Sequence, residues 1–257
     1  MTPRSLRVAC REGSFAGYTA GHAKGFVQAN ICILPRDWAE DFLLFCQRNP
    51  QPCPLLSRSD VGSWSLPELG EDIDIRSDVP RYHVFREGRF DAEVADITDL
   101  WRNDLVTFAM GCSFSFEEAL VDAGLTLRFL DRGEVAGVYE TTMRAKPAGR
   151  YDAPLLMTMR PFTPADAIRA IQITSRFPNV HGAPVHLGDP GQIGVELDNR
   201  YRGVGSGEVL PGEIPLFWAC GLTPQLAVMT AKPPICITHA PSSMLFTDIR
   251  NASLAAL

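Results

Sequence analysis

Two rhythms of apolar residues run through this chain, unbroken short runs and returns at every third or fourth position, and their alternation predicts strands followed by helices. Val27 to Leu34 (Val-Gln-Ala-Asn-Ile-Cys-Ile-Leu) is rich in β-branched and apolar residues and stops at Pro35, which predicts a strand. Trp38, Phe42 and Phe45 then recur at helical spacing behind Asp37, with Glu40 three residues on as in a capping box. Asn49 to Pro54 ends that helix.

The same grammar returns from Leu105 onward. Val106 to Met110 is a short apolar run, Gly111-Cys112-Ser113 a turn, and Ser115 with Glu118 a second capping box, opening a helix that Gly124 closes. Leu155 to Met159 predicts a strand, followed at Thr163-Pro164 by an N-cap and a first-turn proline, with a helix to about Arg176. Ile214 to Ala219 is the third copy, again reaching Thr-Pro at Thr223-Pro224, and Ile235 to Thr238 is a further strand ending at His239.

Tyr82 to Arg86 predicts one strand of a hairpin turning at Glu87-Gly88, while residues 55–80, irregular and acidic, predict a surface excursion. Strands alternating with helices imply an α/β fold with a mixed, partly parallel sheet flanked by helices. One unit over residues 1–257 is expected, with two closely packed α/β subdomains as its variant. In such folds ligands gather at strand ends, so Cys112, Ser113, Arg160, Cys220, Thr223 and His239 are expected to converge if strand order allows.

Composition narrows the function. With 257 residues and 46% hydrophobic content the chain fills a substantial core, and a net charge of -6 without a lysine or arginine run leaves no footprint for nucleic acid or an anionic membrane. A small-molecule partner is expected, and a homodimer is compatible with the sequence. The arginine-bearing stretch Met1 to Gly13 lacks the apolar core of a secretory signal, and no later run is long enough to span a bilayer, which predicts a cytoplasmic protein. Seven cysteines without a Cys-x-x-Cys pair predict reduced, buried thiols.

The densest cluster of proton-transfer groups is Val180 to Pro190, which holds His181, His186 and Asp189 among glycines and prolines. Asp189 follows His186 closely enough to orient its imidazole, and Asp189 with Asp248 are the carboxylates able to complete a divalent metal site, although no cofactor is required by the sequence. Cys112 and Ser113 stand at a helix start, where free N–H groups form an oxyanion pocket and lower a thiol pKa. Arg160 is placed to clamp a carboxylate or to form a structural ion pair. Gly203 to Gly207 fails the dinucleotide spacing, and serine-hydrolase, zincin and Walker motifs are absent.

Six blocks in order, Gly25 to Asn30, Gly111 to Glu117, Met159 to Pro161, His181 to His186, Phe217 to Gly221 and Thr238 to Pro241, resemble the D-glutamate cyclase family over about residues 12–250. Ser242-Ser243 and Gly21-His22-Ala23-Lys24 depart from the family's usual residues. The resemblance implies a hydro-lyase that closes D-glutamate to 5-oxo-D-proline. Chemistry, not the family, then assigns His181 or His186 as base and acid, with His186 preferred as the proton carrier because Asp189 follows it, and His239 as a third imidazole. Arg160 becomes the clamp and the amides near Cys112 and Ser113 the oxyanion donors. Two other classes stay open: a Cys112 nucleophile for amide or acyl transfer, and a non-catalytic carboxylate-binding protein.

Overall fold

The computed structural model describes residues 1–256. Helix α1 (Pro3–Arg11) precedes strand β1 (Phe26–Pro35), which runs directly into α2 (Arg36–Arg48). After β2 (Leu55–Arg58) come the hairpin β3 (Tyr82–Arg86) and β4 (Arg89–Val94), then β5 (Leu105–Met110), α3 (Phe114–Asp122) and the short α4 (Arg128–Asp131). β6 (Gly137–Arg144) and β7 (Pro154–Phe162) lead to α5 (Pro164–Thr174), then β8 (His186–Leu187), β9 (Ile214–Ala219), α6 (Leu222–Ala231), β10 (Cys236–His239) and β11 (Leu245–Arg250).

The strands form two sheets flanked by helices. One is ordered β2-β5-β1-β10-β3-β4 with β11 also on β1, and the other β6-β7-β9-β8. The α/β class is therefore as expected, but every strand pairing is antiparallel. The parallel pairing expected from the strand-helix alternation is confined to an isolated bridge between Ala136 and Ser206. Hydrophobic period specifies the element, whereas strand direction depends on the route of the connecting chain. Between β1 and β5 the chain passes through α2, β2 and the hairpin, and it returns antiparallel from Pro35↔Leu105 to Asn30↔Met110.

β1 is buried almost throughout, and mostly apolar, because both of its faces are covered. Cys32 and Leu34 pack with Phe42 and Phe45 of α2 and with Ala227 of α6. Ala29, Ile31 and Ile33 pack instead on Leu66, Leu69, Ile73, Ile75 and Val79. Of residues 55–80, the first four form edge strand β2 and the rest cover the sheet, which corrects the surface excursion expected from their polarity. Asp72 of this segment and Asp248 of β11 both pair with the fully buried Arg7, at 2.7 Å and 2.9 Å.

Local signals fared unevenly. Thr163 caps α5 by accepting the Asp166 N–H, with Pro164 in the first turn, and the Glu87-Gly88 turn takes positive φ at both residues (49° and 75°), as a two-residue hairpin loop requires. The Asp37/Glu40 box does not form. Pro35 fixes the entry to α2 without a side-chain cap, and Glu40 pairs with Arg58 at 2.7 Å.

Candidate active site

A cavity of about 120 Å³ opens where the two sheets meet. β1 and β10 bring Asn30 and His239 from one sheet, β7 brings Thr158 and Arg160 from the other, and the turns before α3 and α6 bring Cys112, Ser113, Cys220 and Gly221. His181 and Glu117 complete the polar lining. Both helices begin at this cavity, so their positive dipole ends favour an anionic ligand from two directions.

Two glycines allow this close approach. A Cβ on Gly111 would stand 2.3 Å from the Asn179 carbonyl oxygen, and one on Gly221 would stand 2.9 Å from Asn30 Nδ2. Asn30 Nδ2 donates to the Gly111 carbonyl at 2.8 Å, tying the end of β1 to the turn before α3. Asn30 is a site residue with no role assigned from sequence; its signals there are its place at the end of the Gly25 to Asn30 block and, with Gln28, a polar side chain in a mostly apolar strand.

The two cavity histidines are held in opposite tautomers. His181 follows the 3₁₀ turn Pro178–Val180 with φ 83°, and its Nδ1 lies 2.7 Å from the Gln51 carbonyl. A carbonyl only accepts, so Nδ1 carries the proton and Nε2 keeps a lone pair. His239 Nδ1 lies 3.0 Å from the Ile31 N–H and 3.4 Å from the Ile31 carbonyl oxygen, and the shorter contact, in which the N–H donates, sets the reverse arrangement. Nδ1 is therefore the acceptor there and Nε2 carries the proton. Both imidazoles are buried, and burial pushes each down to about 4, with the Arg160 charge adding to the effect at His181. At neutral pH the cavity holds one neutral acceptor and one neutral donor.

Arg160 forms the structural pair. Its Nη2 bonds Glu117 Oε1, its Nη1 donates to Thr158 Oγ1 at 2.9 Å, and its guanidinium lies 5.2 Å from the Trp218 ring centroid. Glu117 also accepts from Ser113 Oγ at 3.0 Å. Arg160 is thus occupied by a carboxylate of α3, which corrects its expected role as a free substrate clamp. Sequence alone cannot assign Glu117 this part, because the register of α3 against β7 is not written in either segment. Glu118 does not cap Ser115; it accepts the Gly25 N–H at 2.8 Å.

Cys112 lines the cavity, but burial pushes its thiol up to about 12. Loss of solvation outweighs the hydrogen bond that the Phe114 N–H makes to the sulfur, which favours the thiol over the nucleophilic thiolate at neutral pH. Cys112, Ser113, Arg160, Cys220 and His239 do converge. Thr223 does not cap α6: it is buried inside the helix and accepts the Leu156 N–H at 3.0 Å.

His186 lies apart from this cavity. In β8 it pairs with Phe217, itself opposite Met159, whereas Arg160 lies opposite Leu216. Cross-strand partners share a face and chain neighbours alternate, so His186 and Arg160 occupy opposite faces of the sheet. Asp189 does not orient His186 through its carboxylate. The imidazole Nε2 meets the Asp189 backbone carbonyl at 2.8 Å, while Oδ1 accepts the Gly191 N–H at 2.9 Å. Among the described residues no group of three or more His, Cys, Asp or Glu side chains converges as a metal site would, and Asp248 pairs with Arg7. Among those residues, too, no helix is long and apolar enough to cross a membrane.

Fold and cavity define an α/β protein of two antiparallel sheets with two buried, neutral histidines and two helix N-termini at their seam. The chain belongs to the D-glutamate cyclase family, which residues 106–248 match. It is 70% identical over 255 residues to a protein of Afipia carboxidovorans named "Putative hydro-lyase", covering 99% of this chain and 94% of that one. A Bordetella petrii protein of the same description is 57% identical over 261 residues, covering 100% and 99%. A nitrogen repressor-like protein of Methanococcus jannaschii aligns over 95% of this chain and 97% of its own with TM-score 0.37 and 12% identity, too slight a likeness to bear on fold or function.

Proposed function

We propose that the protein is a hydro-lyase that removes water from a small amino dicarboxylic acid, closing D-glutamate to 5-oxo-D-proline. The observation that carries this reading is the pair of histidines in opposite tautomers on one anion-favouring cavity. Dehydrative cyclisation calls for a proton acceptor at the amine, a proton donor at the departing oxygen and stabilisation of negative charge. His181 Nε2 serves as acceptor and, once protonated, returns each proton to the departing oxygen; the neutral His239 Nε2–H donates a hydrogen bond to that oxygen, and the helix N-termini at Cys112-Ser113 and Cys220-Gly221 receive the two carboxylates.

The substrate nitrogen attacks the γ-carboxyl carbon, forming the C–N bond, and the C–O bond then breaks. The nitrogen, an ammonium at the start, gives up two protons in all. Both end on the departing oxygen, which leaves as water. No covalent enzyme intermediate is needed, which suits a protonated Cys112.

The test is mass spectrometry of D-glutamate, L-glutamate and other small acids after incubation with the protein, scored for loss of water. Turnover of D-glutamate that is lost in His181→Asn and His239→Asn supports the reading. Saturable binding of D-glutamate without turnover would make the protein a carboxylate-binding protein instead.

A further inference from the structure

Asn30 uses only part of its hydrogen-bonding capacity inside the fold. It is 7% exposed and lines the seam cavity, with the Gly111 turn before α3 and the Gly221 turn before α6 both against its amide. Nδ2 donates to the Gly111 carbonyl at 2.8 Å, and because a carbonyl only accepts, this contact fixes which end of the amide is which. Among the described residues none donates to Oδ1. Nor is that oxygen sealed. Gln28 Oε1 and Asn251 Oδ1 are shut away without a donor, whereas Asn30 Oδ1 keeps accessible surface.

The rest of the lining defines what such an oxygen can bind. Glu117 and Arg160 are the charged side chains of the cavity, and they are paired with each other. The Ser113 hydroxyl donates to Glu117, Thr158 Oγ1 accepts from Arg160, and both imidazoles are neutral at neutral pH. Asn30 Oδ1 is therefore a fixed, uncharged acceptor among groups whose charges are already matched. It lies close to His239, since the Ile31 N–H that holds that imidazole belongs to the peptide bond following Asn30.

We infer that Asn30 Oδ1 accepts an N–H of the substrate nitrogen and makes the site selective for an amino acid over the same acid without nitrogen. The inference rests on the cyclisation reading above. A nitrogen that cyclises passes from ammonium to amine to lactam and bears at least one N–H throughout, so one acceptor can hold it from start to finish. A carboxylate in this place would favour the ammonium and oppose loss of its proton. A carboxamide oxygen holds the N–H without that effect and leaves His181 Nε2 to take the protons that must depart.

The experiment compares 5-oxo-D-proline with 3-oxocyclopentane-1-carboxylate, in which a methylene replaces the ring N–H while size and charge are kept, by titration calorimetry of the wild type and of Asn30→Leu. The wild type should bind the lactam about ten- to hundredfold more tightly. In Asn30→Leu that ratio should fall by about tenfold, through the lactam alone, because a disturbed Gly111 turn would weaken both ligands alike. Wild-type crystals soaked in 5-oxo-D-proline, which require no variant to fold, should show the ring nitrogen within hydrogen-bond reach of Oδ1. Binding of neither ligand by the wild type would overturn the cyclisation reading and the role of Asn30 with it. A lactam preference that survives in Asn30→Leu, equal weakening of both ligands, or a ring nitrogen turned away from Oδ1 would overturn the role of Asn30 alone.

Discussion

Which imidazole nitrogen carries the proton follows from the backbone at each histidine, the Gln51 carbonyl at His181 and the nearer Ile31 N–H at His239, and this yields sharp tests. Asparagine can keep the donor that His181 offers Gln51 and the acceptor that His239 offers Ile31 while deleting Nε2. Each variant should therefore stay folded and lose about two to four orders of magnitude in turnover number. His186→Gln, on the opposite sheet face, should stay near wild type, and Cys112→Ala should retain measurable turnover. A profile in which His186→Gln is the crippled variant would refute the assignment of His181 and His239. The histidine cluster is partly legible in sequence. Local composition flags both His181 and His186, but the two-residue alternation of β8 against β9 separates them, and a register is not visible in one segment.

At the level of elements, the strand-turn-helix grammar correctly announces β1–α2, β5–α3, β7–α5 and β9–α6, because hydrophobic period and turn residues act locally. Partnership is not legible in the same way: strand direction, the cover formed by residues 59–80, and the helix that meets β7 all depend on distant segments. Glu117 and Arg160 show the consequence, since their side chains are 5% and 1% exposed and join α3 to β7 across the cavity wall. Removing one member leaves the other charge buried and unpaired. Glu117→Ala should lower unfolding free energy by about 3–5 kcal/mol, whereas Glu117→Leu combined with Arg160→Met should recover much of that loss. Denaturant unfolding of the single and double variants measures the difference, and equal losses in both would mean that packing, not the unpaired charge, sets the penalty.

Across the whole molecule, the burial that gives the cavity its neutral imidazoles also ties stability to pH. His181 and His239 are held at about 4, against 6.5 for a free imidazole. Between those values the unfolded chain binds protons that the folded chain does not, so stability falls as pH falls from about 6.5 to about 4, by about 3 kcal/mol for each histidine. Carboxylates held below their usual range, among them Asp72 bonded to Arg7 and Glu213 bonded to Arg128, lose their contribution only at still lower pH. Asp78, raised by burial, works in the opposite direction, because the folded state takes up its proton first. A comparison of variants isolates the histidines from these carboxylates. The double variant His181→Asn/His239→Asn should show a markedly flatter dependence of denaturant-derived stability on pH between 6.5 and 4 than the wild type. Parallel curves would mean that the two imidazoles titrate as free side chains do, and the neutral donor-acceptor pair proposed for the cavity would lose its basis.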